Sequence, residues 1–246
     1  MTRLLILGGT AEARALAAGA DALSPEIEVI TSWAGRTGRQ PDLPGRARIG
    51  GFGGAEGLGD YLRSEAVDLV VDATHPFARV ISANARDACD AAGVARLQLV
   101  RPAWKLPAET NWIAVPDLET AAAKVQEIAS RAFLTTGKQT VEAFSGVTGV
   151  WFLVRLIDPP PAPLPLAAYE VTTGRPPYAL ETERALMADH RIDAVVTKAS
   201  GGTLPAKIVA ANELGLPIIG VAPPPPQPGD RAADVEAALS WIADRL

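Results

Sequence analysis

The chain is 246 residues long, 48% hydrophobic and only 5% aromatic, with a formal net charge of −5. That length can bury one large core or two small ones, filled by aliphatic side chains and alanine. The acidic balance argues against sequence-independent nucleic-acid binding, which needs a basic face, and no apolar run approaches the ~20 residues that cross a bilayer.

The opening, Met1 to Gly9, is too short and glycine-broken for a signal peptide and reads as a strand starting at once, so the expected compartment is the cytoplasm. The lone cysteine, Cys89, offers no intrachain disulfide, and with only His75 and His190 as imidazoles no metal cluster is expected. Cys89 lies on an alanine-rich helical stretch, where a thiol serves as a small buried hydrophobe.

Strand and helix signals alternate along the chain. Apolar runs at Leu4–Leu7, Ile27–Ile30, Leu69–Val71, Leu97–Val100, Phe133–Leu134, Val150–Val154, Ala194–Val196 and Pro217–Val221 predict strands. Thr10–Ala22, Asn84–Ala92, Asp117–Ala129 and Pro177–Asp189 predict helices between them, and Asp230 is the expected N-cap of a last helix, Asp230–Leu246. This is the pattern of βαβ units on parallel sheets. The stretch Arg101–Pro107 breaks it, so the expected organisation is two doubly wound lobes, 1–106 and 107–246, with a cleft between them; one large sheet is the alternative. Two proline clusters, Asp158–Pro165 and Pro223–Pro228, read as loops.

Four stretches could carry chemistry. In the first, Leu5-Ile6-Leu7-Gly8-Gly9-Thr10, a strand runs into paired glycines and a helix. Glycine lets a backbone approach a pyrophosphate, and a helix N-terminus offers unpaired N–H groups and positive potential. The spacing falls short of the full Gly-x-Gly-x-x-Gly fingerprint, and an ordinary tight turn remains open. Arg14 follows one helical turn on.

The second stretch, Thr31-Ser32-Trp33-Ala34-Gly35-Arg36, holds no acid where a site for an unphosphorylated ribose would place one. Ser32 and Arg36, with Arg39 beyond, suit a 2′-phosphate and so favour NADPH, unless the arginines are solvated loop charges.

The third is Asp72-Ala73-Thr74-His75-Pro76-Phe77-Ala78, at a strand's carboxyl end, with Pro76 placed to open a helix. His75 there binds ligand or moves a proton; the plainer reading is that Thr74 or His75 caps the helix. His190 reads as a C-terminal cap. The fourth, Thr197-Lys198-Ala199-Ser200-Gly201-Gly202 followed by Lys207, is an anion-friendly turn resembled by Thr135-Thr136-Gly137-Lys138.

Together these stretches resemble the precorrin-6A reductase family of cobalamin biosynthesis. The likeness rests on Ile6–Thr10 with Glu12 and Arg14, on Asp72–Ala78, on Thr136-Gly137-Lys138, and on Thr197–Gly202 with Lys207–Ala211 and Gly215–Ile219. It departs after the last strand, where the family often carries Arg-Pro and this chain reads Ala222-Pro223. The resemblance implies two Rossmann-like lobes and NADPH-dependent reduction of precorrin-6A to precorrin-6B, with hydride to C19 and a proton to C18. An anaerobic counterpart acts on the cobalt-loaded ring.

On this reading Gly8, Gly9, Thr10, Ser32, Arg36, Thr74, Gly137, Lys138, Lys198, Ser200, Gly201 and Gly202 bind the cofactor. Arg14, Arg79, Arg101, Arg175 and Lys207 bind substrate carboxylates, and His75 or Tyr178 competes with water or the substrate's own nitrogens as proton donor. A monomer or small homo-oligomer is expected, with possible transfer of substrate to or from neighbouring pathway enzymes. The rivals are another NADPH-dependent oxidoreductase, a non-catalytic NADP-binding redox regulator, and a tetrapyrrole carrier.

Overall fold

The first apolar run becomes β1 (Thr2–Leu7), and Thr10 then caps α1 (Ala11–Leu23) by accepting a hydrogen bond from the Ala13 N–H. The computed structural model describes residues 1–33 and 44–246. Next come β2 (Ile27–Trp33), β3 (Arg46–Ile49), α2 (Gly54–Ser64), β4 (Leu69–Asp72), α3 (Arg79–Ala92) and β5 (Ala95–Leu99). The chain continues through β6 (Trp112–Val115), α4 (Leu118–Ile128), β7 (Arg131–Leu134), a 3-10 segment (Lys138–Phe144), β8 (Trp151–Leu156), β9 (Tyr169–Thr173), α5 (Leu180–Asp189), β10 (Ala194–Lys198), α6 (Ala206–Glu213) and β11 (Ile218–Val221). It ends in β12 (Asp230–Ala232) and α7 (Val235–Ala243).

The strands form two six-stranded sheets, β12-β5-β4-β1-β2-β3 and β6-β11-β10-β7-β8-β9, and every pairing in both is parallel. Helices cover them, so these are two Rossmann-like lobes, as expected from the alternation. In the first sheet side chains alternate between two cores. Leu4, Ile6, Val29, Val71 and Leu97 pack with Leu16 of α1 and Ile242 of α7. Leu5, Leu7, Ile30 and Val70 pack with Leu58, Leu62, Ala85 and Cys89 of α2 and α3. Burial pushes the Cys89 thiol up to about 12, as suits an inert core residue. In the second sheet Phe133, Leu153, Val195 and Ile218 pack with Met187 and Ile208.

The chain divides into Met1–Pro102 with Pro224–Leu246, and Ala103–Pro223. This corrects the expected 1–106 and 107–246 division: residues 107–246 do not make one lobe, because the last strand and helix belong to the first sheet. β12 pairs with β5, the place where a strand directly following β5 would sit, while β6 instead pairs with β11. Two glycines mark these joins. A Cβ on Gly19 would lie 2.7 Å from Leu239, so α7 seats directly on α1, and one on Gly220 would lie 1.9 Å from the Trp112 ring. Gln98 completes the return by accepting from the Gln227 N–H at 2.8 Å. The expected final helix from Asp230 is thus a short strand followed by a helix whose N-cap is Asp234.

Candidate functional site

Each sheet reverses its winding beside its first central strand, between β1 and β4 in one unit and between β7 and β10 in the other. Ligands of open parallel sheets bind beyond the carboxyl ends of strands at such a point. The turns after β1 and β4 stand at the first point and those after β7 and β10 at the second, whereas the Thr31–Arg36 stretch follows β2, one strand away, and its residues 34–36 lie outside the described ones.

In the first unit, Gly8 donates its N–H to the Ser32 carbonyl at 2.9 Å, and a Cβ on Gly8 would come 3.3 Å from that oxygen. Gly9 has φ +118° and open space where its Cβ would be. The turn is therefore closed below and clear above, which fits a phosphate approaching the first N–H groups of α1. The buried Thr10 hydroxyl donates to the Ala73 carbonyl at 2.7 Å, tying this turn to the one after β4 across the switch point. There Asp72 accepts from the Thr74 N–H at 3.1 Å and its hydroxyl at 2.6 Å. Ser32 is buried at the end of β2, with Thr31 beside Gly8. The Thr31 hydroxyl is buried with no hydrogen-bond partner among the described residues. These groups fit a nicotinamide dinucleotide.

His75 is exposed and its Nδ1 accepts from the Phe77 N–H at 3.2 Å. Pro76 does not open the helix as expected. α3 starts at Arg79 with Ala78 as an N-cap lacking a side-chain bond, because Pro76–Ala78 form a turn closed by the Ala78 N–H on the His75 carbonyl. His190 does end α5, its Nδ1 lying 2.8 Å from the Leu186 carbonyl.

In the second unit the Lys207 ammonium reaches back from α6 to donate to the Thr135 hydroxyl at 2.8 Å. That hydroxyl in turn donates to the Val196 carbonyl at 2.9 Å. Burial, with Arg155 and Lys198 nearby, pushes Lys207 down to about 8, while Glu183 acts in the opposite sense. Burial also lowers Lys198. Arg155 is paired with Glu183 and lies over two rings, 4.6 Å from the Phe133 centroid and 4.1 Å from that of Tyr178. Burial raises the Tyr178 phenol, so it stays protonated at neutral pH. Gly137, Gly201 and Gly202 all take positive φ. The Thr136 and Thr197 hydroxyls and one Glu183 carboxylate oxygen are buried without partners among the described residues. The lysines with the orphaned Thr136 and Thr197 hydroxyls, which can donate, suit a ligand bearing carboxylates, whereas the Glu183 oxygen can only accept.

The structure thus brings Gly8, Gly9, Thr10, Ser32 and Thr74 together in one unit. In the other it gathers Lys198 and Lys207 with Tyr178, and Gly137, Lys138, Ser200, Gly201 and Gly202 stand on the two turns of that switch point. Arg14 and Arg79 are exposed on their helices. Arg101 is held by Glu12 at 2.7 Å and Arg175 by Asp158 at 3.0 Å, so both bring a carboxylate of their own. Arg36 and Arg39 lie outside the described residues. Residue types alone missed Arg155 and Glu183. The signal was an arginine inside the otherwise apolar run Phe152-Leu153-Val154-Arg155-Leu156, since a charge on a buried strand demands a partner.

The family profile described as precorrin-6x reductase CbiJ/CobK matches residues 3–243. A precorrin-6A reductase from Rhodococcus erythropolis is 46% identical over 245 residues, covering 98% of each chain. A cobalt-precorrin-6A reductase from Salmonella typhimurium is 28% identical over 260 residues, covering 98% of this chain and 97% of its own. The solved structure of a CobK precorrin-6A reductase superposes with a TM-score of 0.90 at 42% identity, covering 99% of this chain and 97% of that one. The match runs through both switch-point sites and the returning C-terminal segment, and the chain belongs to the precorrin-6x reductase family.

Proposed function

We propose that this protein reduces precorrin-6A to precorrin-6B with NADPH. The observation carrying the reading is the pair of switch-point sites that take anions in different ways: a glycine turn that suits phosphates, and a half-buried cationic cluster that suits carboxylates. A redox regulator has no use for the second, and a tetrapyrrole carrier none for the first. The metal-free ring is favoured over the cobalt-loaded one by the gap between 46% and 28% identity.

The bound nicotinamide would supply a hydride to C19, and a proton reaching C18 completes saturation of that bond. The chain's own part is to hold and orient. Gly8, Gly9 and Thr10 with the first turn of α1 take the pyrophosphate, and Ser32 stands at the ribose position. Lys198 and Lys207 take substrate carboxylates, with Arg155, already held by Glu183, adding positive charge beside them and Lys138, Ser200, Gly201 and Gly202 completing the two turns. This moves Lys198 and the neighbouring glycine turn from the cofactor to the substrate. Arg14 and Arg79 remain exposed cations able to reach an acidic rim.

The deciding experiment mixes protein, NADPH and precorrin-6A and follows NADPH loss together with the pigment spectrum. Turnover with precorrin-6A and little with its cobalt form is expected; no NADPH oxidation with either ring rejects the reading. His75 and Tyr178 are the side chains offered as proton donors. If His75 serves, His75→Ala slows single-turnover reduction about 100-fold or more at saturating NADPH. An unchanged rate with His75→Ala transfers the step to Tyr178 or water.

A further inference from the structure

Three adjacent strand ends of the first unit line up in register. Leu7, just before Gly8, pairs with Ser32 of β2, and Ser32 pairs with Arg48 of β3. Strands lie ~4.8 Å apart, so Arg48 stands about two spacings from the pyrophosphate turn, with the ribose position at Ser32 between them. A phosphate on a ribose held at Ser32 would have β3 as its neighbouring strand.

Arg48 is held ready for such a group. Its guanidinium stacks on Phe52 at 3.7 Å and lies 5.1 Å from the Tyr61 ring, while Phe52 and Tyr61 meet edge to face at 5.2 Å. Nη1 donates to the Gly50 carbonyl and Nη2 to the Gly51 carbonyl, both at 2.7 Å, and Nη1 also approaches the Ser32 hydroxyl at 3.4 Å. These contacts engage three of the five N–H groups of a guanidinium. Its neighbours on the sheet differ. Arg46 is paired with both Glu28 and Glu65, and Arg3 with Glu28, whereas Arg48 has no carboxylate partner among the described residues. The glycines beyond it leave room: a Cβ on Gly50 or Gly51 would meet nothing within 4 Å.

We propose that Arg48, with Ser32, reads the 2′-phosphate of the dinucleotide and sets the preference for NADPH over NADH. The proposal rests on the cofactor reading above. A planar, stacked, always-charged guanidinium suits a phosphate in a way lysine does not.

Direct binding tests it without turnover. NADPH and NADH affinities are measured by dihydronicotinamide fluorescence, and those of 2′,5′-ADP and 5′-AMP by calorimetry. Arg48→Met is expected to weaken NADPH and 2′,5′-ADP about 10- to 100-fold while moving NADH and 5′-AMP by less than about threefold. Arg48→Lys, which keeps the charge and loses the fork, should lie between and serves if the Met variant does not fold. Equal losses for phosphorylated and unphosphorylated ligands in either variant overturn the proposal, as does a selective loss produced by Arg36→Ala alone. Failure of the wild-type protein to bind either dinucleotide instead rejects the cofactor reading itself.

Discussion

Lys207→Met is expected to weaken binding of the tetrapyrrole and to raise the melting temperature at once. The ammonium is enclosed in a cationic corner with Arg155 and Lys198, and it is pushed down from 10.5 to about 8. A charge-assisted hydrogen bond to a carboxylate lost from such a place corresponds to about 10- to 100-fold in affinity. The same depressed value means that folding costs free energy whenever Lys207 is protonated. The unfolded lysine titrates at the higher pH, so the unfolded chain holds the extra proton between about pH 8 and 10.5. The destabilisation is complete below pH 8 and is relieved as pH rises through that window. Part of the residue's surface remains exposed, so the relief expected from methionine at pH 7 is ~1–3 kcal/mol. The pH dependence of binding runs the other way: affinity for a carboxylate is full below about pH 7 and falls as Lys207 loses its proton near pH 8. Calorimetric melts and substrate titrations at pH 6.5, 8 and 9.5 check both halves. A variant both weaker in binding and less stable at pH 7 contradicts the account, as does an unchanged alkaline fall in affinity.

Glu183→Ala is expected to produce the largest loss of stability of any single change near this site. Its side chain is 1% exposed and that of its partner Arg155 is 11% exposed. Removing the carboxylate leaves a buried guanidinium against Phe133 and Tyr178 with two lysines nearby and no counter-charge. Breaking a buried pair in this way costs ~3–5 kcal/mol, on the order of 10 °C in melting temperature for a chain of this size. Glu183→Gln retains one acceptor for Arg155 and should cost about half as much. Arg155→Met with Glu183→Met, which removes both charges, should recover most of the stability and none of the substrate affinity. A double variant that binds the tetrapyrrole normally would exclude Arg155 from recognition; a Glu183→Ala melt within about 2 °C of wild type would exclude the pair as a structural element.

Local chemistry was legible in the sequence because its signals are local. A strand that runs into Gly8-Gly9-Thr10, or into Lys198-Ala199-Ser200-Gly201-Gly202, announces a βα turn by its glycines and its capping residue, whatever lies elsewhere. The alternation of apolar runs with alanine-rich stretches likewise announces parallel sheets, since only helix-covered strands bury both faces. The same locality sets helix ends such as Asp117, the N-cap of α4, and His190, the C-cap of α5.

What the sequence could not determine depends on residues far apart in the chain. Nothing near Asp230 says that β12 completes the first sheet; the decision is made by its pairing with β5 and by the fit of Leu239 against Gly19. Arg101 reads as an available cation until Glu12, 89 residues away, is found holding it. Arg155 and Glu183 are separated by 28 residues and become one unit only when α5 lies on the second sheet. The sequence by itself determined which turns could receive phosphate or carboxylate, because backbone freedom and helix ends are properties of a few consecutive residues. Only the tertiary structure decided which charges are already neutralised, as Arg101 is by Glu12 and Arg46 by Glu28 and Glu65, because that depends on which side chains meet once the strands are ordered.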